Sequence, residues 1–189
     1  MNAHTALLLI DVQQGLLDAA YGQRNNPQAE QQMRALLEHW RHQKWPVFHV
    51  QHCSTEPHSP LRPDQPGVAF QPQTAPIDGE PVFQKNVNSA FIGTTLEATL
   101  REQNLDCLVV VGLTTDHCVS TSVRMAANRG FRVFLVGDAT ATFERVGPDG
   151  RHYAADTMHA VNLASLHGEF CTVVSTEGVL RSEIESGAK

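Results

Sequence analysis

The apolar residues of this chain fall in short bursts, and a segment of helical composition separates most bursts from the next. Residues 6–11, 46–51, 81–83, 107–112, 131–136 and 171–174 read as strands, and residues 27–44, 94–103, 116–129, 150–167 and 176–184 as helices. The first helix shows its spacing plainly, because Met33, Leu36, Leu37 and Trp40 recur on one face with polar residues between them. The run from Cys107 to Gly112 is nearly all valine and leucine, which suits a strand buried on both faces of a parallel sheet. Alternation of this kind over the whole length predicts an α/β fold: a three-layer α/β/α sandwich around a mostly parallel sheet, as one domain over 1–189.

Composition narrows the function classes. Of the 189 residues, 41% are hydrophobic and 18% charged, which excludes a disordered or low-complexity chain. Lys and Arg number 14 against 20 Asp and Glu, giving a formal charge of -6 with no basic cluster, so a nucleic-acid partner is not expected. The N-terminal residues Met1 to Thr5 carry no basic leader, and the apolar run that follows stops at Asp11, too short to span a bilayer. Cys53, Cys107, Cys118 and Cys171 show no CxxC spacing, so the expectation is reduced thiols, a cytoplasmic location and no membrane partner. The segment from His52 to Pro81 holds six prolines before Pro81 and little periodicity. It is expected to be a lid, an oligomer-contact loop or a plain surface excursion.

In an open parallel sheet, ligands bind beyond the carboxyl ends of the strands. Three such ends carry reactive groups: Asp11 after Leu8-Leu9-Ile10, Lys85 after Val82-Phe83-Gln84, and Cys118 shortly after the valine run. Taken singly, each has a bland explanation: a loop or cap carboxylate, a solvated lysine, a small buried hydrophobe. Together they make a covalent hydrolase conceivable. A thiolate attacks carbonyl carbon, Asp11 can take the thiol proton, and Lys85 can stabilise the anion. Cys118 also lies near the start of the helix expected from Asp116, where the backbone N–H groups and helix dipole favour a thiolate and can hold an oxyanion.

The stretches Leu-Leu-Ile-Asp-Val-Gln (8–13), Lys-Asn-Val-Asn-Ser-Ala-Phe (85–91) and Val-Gly-Leu-Thr-Thr-Asp-His-Cys-Val (111–119) resemble the isochorismatase-like cysteine hydrolases. Gly-Asp-Ala-Thr-Ala-Thr (137–142) and His-Ala-Val-Asn-Leu-Ala-Ser-Leu (159–166) resemble further parts of that pattern, and the likeness runs from Leu7 to about Leu180. It implies a six-stranded, Rossmann-like sheet and a catalytic triad of Asp11, Lys85 and Cys118. It also implies a non-proline cis peptide between Leu113 and Thr114, with an oxyanion hole made by the N–H groups of Thr114 and Cys118. The activity implied is an amidohydrolase that cleaves a small carboxamide through a thioester. The alternatives are vinyl-ether cleavage of the isochorismatase type, which does not need the cysteine, and an inactive member that binds a metabolite. Homo-oligomers are the family expectation.

Other residues qualify the picture. Gln13 and Asn86 stand beside Asp11 and Lys85 and are candidates to orient substrate or triad. Among Phe70, Phe91, Phe143 and Tyr153, Phe91 ranks first as a pocket residue because it lies nearest a motif residue. His117 is adjacent to Cys118 and diverges from it on a helix, so it is expected at a loop or interface; Asp116 is expected to cap the helix. His49, His52 and His58 lie in or after the second strand, where nicotinamidases of this family hold a metal, but their Asp-x-His pattern is missing here. The reading is therefore metal-free. No GxGxxG fingerprint is present, and no nucleotide cofactor is expected.

Overall fold

Side chains along strand β1 (Thr5–Ile10) alternate between two apolar cores, and this alternation builds the three layers. The computed structural model describes residue 1 and residues 4–181. After β1 come α1 (Ala29–Gln43), β2 (Val47–His52), β3 (Val82–Lys85), α2 (Leu96–Glu102) and β4 (Cys107–Leu113). Then follow α3 (Ser120–Asn128), β5 (Arg132–Ala141), a small hairpin of β6 (Arg145–Val146) and β7 (His152–Tyr153), α4 (Ala155–Leu166), β8 (Thr172–Val174) and α5 (Thr176–Leu180). Ala6, Leu8, Ile10, Phe48, Val50, Leu108 and Val110 pack on one face with Leu96, Leu100, Val123 and Leu166 from α2, α3 and α4. Leu7, Leu9, Val47, Val109 and Val111 pack on the other with Met33, Leu36, Leu37 and Trp40 of α1 and Val179 of α5. Each fully buried leucine contributes roughly 2 kcal/mol of transfer free energy.

Six strands pair in the order β3-β2-β1-β4-β5-β8, and every pairing is parallel. The chain runs outward from β1 through β2 to β3, then returns to place β4 on the other side of β1. The carboxyl ends of β1 and β4 therefore flank the switch point of the sheet, where such folds open a crevice. Gly112, near the end of β4, makes this seam tight. Its φ is +126°, and a Cβ there would stand 2.1 Å from the carbonyl oxygen of Ile10.

Several boundaries differ from the sequence reading, for local reasons. β5 continues past Val136 to Ala141, because the β4 ladder shifts register after Val110 and resumes pairing as Gly112 with Thr140 and Leu113 with Ala141. The helix expected over 116–129 is split into a five-residue π turn, Thr115–Val119, and α3. The helix expected from residue 150 begins at Ala155, since His152 and Tyr153 belong to the small hairpin. Of the last expected helix, 176–184, the part beyond residue 181 lies outside the described residues.

The proline-rich segment is pinned to the end of β1. Gln14 N–H donates to Ala69 O at 2.8 Å, and Gln71 N–H to Val12 O at 3.0 Å. Leu61 is buried against the α1-side core. Two partly buried ion pairs hold the flanks: Arg24 to Glu30 at 2.6 Å, and Arg41 to Glu80 at 2.7 Å. Burial alone would raise both carboxyl pKa values. Hydrogen bonds and the two guanidinium charges outweigh it and hold Glu30 and Glu80 below the ordinary 4.5. With folded values below unfolded ones, their contribution to stability is complete above about pH 4.5 and is lost as pH falls through the folded values. Urea midpoints followed from neutrality into acid should hold steady and then drop below that point; a midpoint unchanged there would contradict the assignment.

Candidate active site

Asp11, the residue after β1, adopts φ +52°, a left-handed conformation that aspartate tolerates better than most side chains and that is common where a site holds strain. Its side chain is buried. Lys85 ends β3 in register with His52 at the end of β2. Its Nζ donates to Asp11 Oδ2 at 2.6 Å and to Cys118 Sγ at 3.3 Å. Cys118 sits in the π turn that follows β4, with its thiol 3.7 Å from Asn88 Oδ1. The Leu113–Thr114 peptide bond, which opens this turn, is cis. Three groups far apart in sequence thus meet at one rim of the sheet.

The electrostatics of the sulfur differ from the sequence expectation. Burial pushes the Cys118 thiol well above the ordinary cysteine range; the Asp11 charge adds to this and the Lys85 charge opposes it. That direction opposes the thiolate that a helix start and a neighbouring lysine suggested. The thiol proton has an acceptor at hand. Asp11 Oδ1 is buried and has no hydrogen-bond partner among the described residues.

A cleft of about 230 Å³ opens over the sulfur, lined by Asp11, His52, Cys118, Thr114 and Asn88, with Leu16, Leu61, Leu113, Phe143 and Tyr21 as apolar wall and Ser59, His117 and Arg145 at its polar parts. Tyr21 and Phe143 stack with ring centroids 5.1 Å apart. Ser59 and Leu61 bring the proline-rich segment into the wall. A larger cleft of about 900 Å³ is lined by Cys53, Arg62, Asp64 and Asn86 among others, without Asp11 or Cys118.

The remaining candidates fall elsewhere. Gln13 is fully buried and contacts backbone only in its closest bonds: its Nε2 donates to His52 O and Val68 O, and its Oε1 accepts from His52 N–H. Asn86 belongs to the larger cleft, and Asn88, two residues on, takes the place at the sulfur. Phe91 is buried in the core against Phe131; Phe143 is the phenylalanine at the cleft. Asp116 makes no capping hydrogen bond among the described residues. It accepts from Thr142 Oγ1 and from Arg145 Nε at 2.9 Å, tying the π turn to the end of β5. Burial would raise its carboxyl, but those bonds and the His117 and Arg145 charges hold it below the usual aspartate value. His159 of α4 holds the same turn from the other side, 2.9 Å from Thr115 Oγ1.

The histidines do not gather. His49 is buried and pairs with Glu80 at 2.9 Å, while His58 is exposed. Of these three, His52 is the one that lines the cleft. Asp11, His52 and Cys118 offer ligand atoms within 4.8 Å of one another, and Lys85 Nζ lies within 2.6, 3.0 and 3.3 Å of an atom of each. The cation among them is the lysine's own. The signal for His52 in the sequence was its place as the last strand residue before the long loop; the signal for Asn88 was its place in the Lys85–Phe91 motif.

This parallel sheet is an architecture shared with solved isochorismatase-family structures. The isochorismatase domain family matches residues 5–178, and the chain belongs to that family of hydrolases. It is 41% identical over 186 residues to the uncharacterized isochorismatase family protein YrdC of Bacillus subtilis, covering 98% of this chain and all of that one. It is 41% identical over 128 residues to N-carbamoylsarcosine amidase of Arthrobacter, covering 66% of this chain and 43% of that one. A crystal structure of an isochorismatase-family protein from Chromobacterium violaceum superposes with a TM-score of 0.93 at 46% identity, covering 96% of this chain and 94% of that one. Among the described residues no helix is long and apolar enough to cross a membrane.

Proposed function

We propose that the protein is a cysteine-dependent amidohydrolase that cleaves the C–N bond of a small carboxamide through a thioester on Cys118. The observation that carries this reading is the Lys85 ammonium, which reaches both the Asp11 carboxylate and the Cys118 sulfur. Amidases among its relatives support the same reaction class. The cleft is small beside the roughly 300–1,000 Å³ of pockets for drug-sized ligands, and its stacked aromatic wall suits a short or planar substrate.

The steps use groups that meet in the site, with ligand atoms of Asp11 and Cys118 within 4.8 Å of each other. The Cys118 proton passes to Asp11 Oδ1 as the sulfur forms a bond to the amide carbon, and the carbonyl electron pair moves to oxygen. The N–H groups of Thr114 and Cys118 hold that oxyanion, and Lys85 keeps the site favourable to negative charge. The intermediate collapses with breakage of the C–N bond, and Asp11 returns its proton to the leaving amine. Water then attacks the thioester with Asp11 as base. The C–S bond breaks, the sulfur regains a proton and the acid departs.

The proposed setting is the cytoplasm, supported by four free thiols, of which Cys107 and Cys171 are buried. Self-association is proposed as well, supported by the apolar outward side of α4, where Val161 is exposed. The test is a screen of ammonia release from small carboxamides, followed by acid quenching of the best one and intact-mass measurement. A mass increase equal to the acyl group, located on Cys118, is expected. Turnover with acyl transfer to no cysteine would overturn the thioester route.

A further inference from the structure

An ammonium group carries three N–H donors and no acceptor. At Lys85 all three have partners: Asp11 Oδ2 at 2.6 Å, His52 Nδ1 at 3.0 Å and Cys118 Sγ at 3.3 Å. A ring nitrogen this close to a cationic donor must present its lone pair. His52 is therefore neutral, with its proton on Nε2, when the site is assembled. The ring is also held from behind. Gln13 grips the His52 backbone on both sides, donating to its carbonyl at 3.0 Å and accepting from its N–H at 2.9 Å. A fully buried glutamine two residues after Asp11 thus fixes a histidine on the neighbouring strand.

We propose that His52 is a positioning residue: its neutral ring holds the Lys85 ammonium so that one N–H reaches the Cys118 sulfur, and protonation of the ring breaks that hold and switches the site off. The inference rests on the amidohydrolase reading only for the sulfur's role. The charged and titratable groups around the ring are Asp11 at the end of β1, Lys85 on β3, Cys118 after β4, the adjacent Cys53, and His117 and Arg145 in the same cleft. Asp11 favours a protonated ring and Lys85 opposes it. Burial and the Lys85 charge prevail, and hold the ring below the ordinary 6.5. Protonation of Nδ1 would remove the acceptor that faces the ammonium and set a second positive charge 3.0 Å from it.

The test reads the sulfur directly, without an amide substrate. Iodoacetamide alkylates Cys118, with the sulfur displacing iodide, and peptide mapping gives the rate at that residue. His52→Asn places an oxygen near the position of Nδ1 and cannot titrate. His52→Leu removes the acceptor. Near neutrality His52→Leu should slow alkylation about tenfold, the scale expected for loss of a hydrogen bond to a charged group, while His52→Asn stays within about threefold of wild type. The ratio of wild-type to His52→Asn rates should be flat at neutrality and fall as pH drops below 6.5, because only the wild type gains a proton there. An unchanged rate in His52→Leu, equal losses in both variants, or a ratio flat into acid would each overturn the proposal. If His52→Leu does not fold, the pH ratio against His52→Asn decides alone. Should every carboxamide fail to release ammonia while the alkylation pattern holds, the amidohydrolase reading falls and the role of His52 stands.

Discussion

Replacing Cys118 by Ala should lower amide turnover by roughly 10⁴-fold or more, the scale seen when a covalent nucleophile is removed, while the urea midpoint stays near wild type. The fold should survive because Cys118 is only partly buried and packs at the edge of one core. The sulfur's own partners are long: 3.3 Å to Lys85 and 3.7 Å to Asn88. Steady-state ammonia release with the best carboxamide measures the loss. Turnover within tenfold of wild type would direct attention to Asp11 and Lys85 acting alone on water, and would remove the thioester from the mechanism.

A second large effect is expected at Lys85, this time on stability as well as rate. Its side chain is fully buried and that of Asp11 nearly so. Lys85→Met leaves a buried carboxylate with no counter-charge, and should cost about 3–5 kcal/mol in urea unfolding. Adding Asp11→Asn removes the stranded charge, so the double variant should regain much of that stability while remaining inactive. The pattern separates two roles of one ion pair. Stability returns when both charges go, but catalysis does not, because neither the proton acceptor nor the cation near the sulfur is restored. A double variant no more stable than Lys85→Met would mean that the pair's charge is not what the site is built around.

How much of this was readable in advance depended on the kind of element involved. Strands buried on both faces leave unbroken apolar runs, so the ends of β1 and β4 could be located, and with them Asp11 and Cys118; β3 is an edge strand of alternating burial, and Lys85 was found from the short apolar pair before it. The walls of the cleft were harder. Phe143 was one of four aromatic candidates, and Arg145 was not among the site residues. Both follow β5, whose last five residues, Gly137 to Ala141, interrupt the apolar run with Asp138 and Thr140. A register shift in the neighbouring ladder is what carries the strand on, and composition does not encode such a shift. The choice of Asn88 over Asn86, and of the core for Phe91, was fixed by how a short loop turns after β3. His52 looked like an ordinary polar strand end because its meaning comes from a partner on the adjacent strand, His52 standing opposite Lys85. The helix start at Asp116 suggested an ionised sulfur, but desolvation outweighs that influence, and burial is a property of the folded chain alone.

The contact of Gly112 against Ile10 has a bearing on how this enzyme can be altered. Any larger residue at that point would drive a wedge between two backbones. The acid carried by one of them would then drift from the sulfur that follows the other. Changes of substrate range are better sought in Ser59, Leu61, Phe143 and Arg145, which line the cleft from outside that joint. The molecule separates what must not move from what can be retailored, and the boundary is a single missing methyl group.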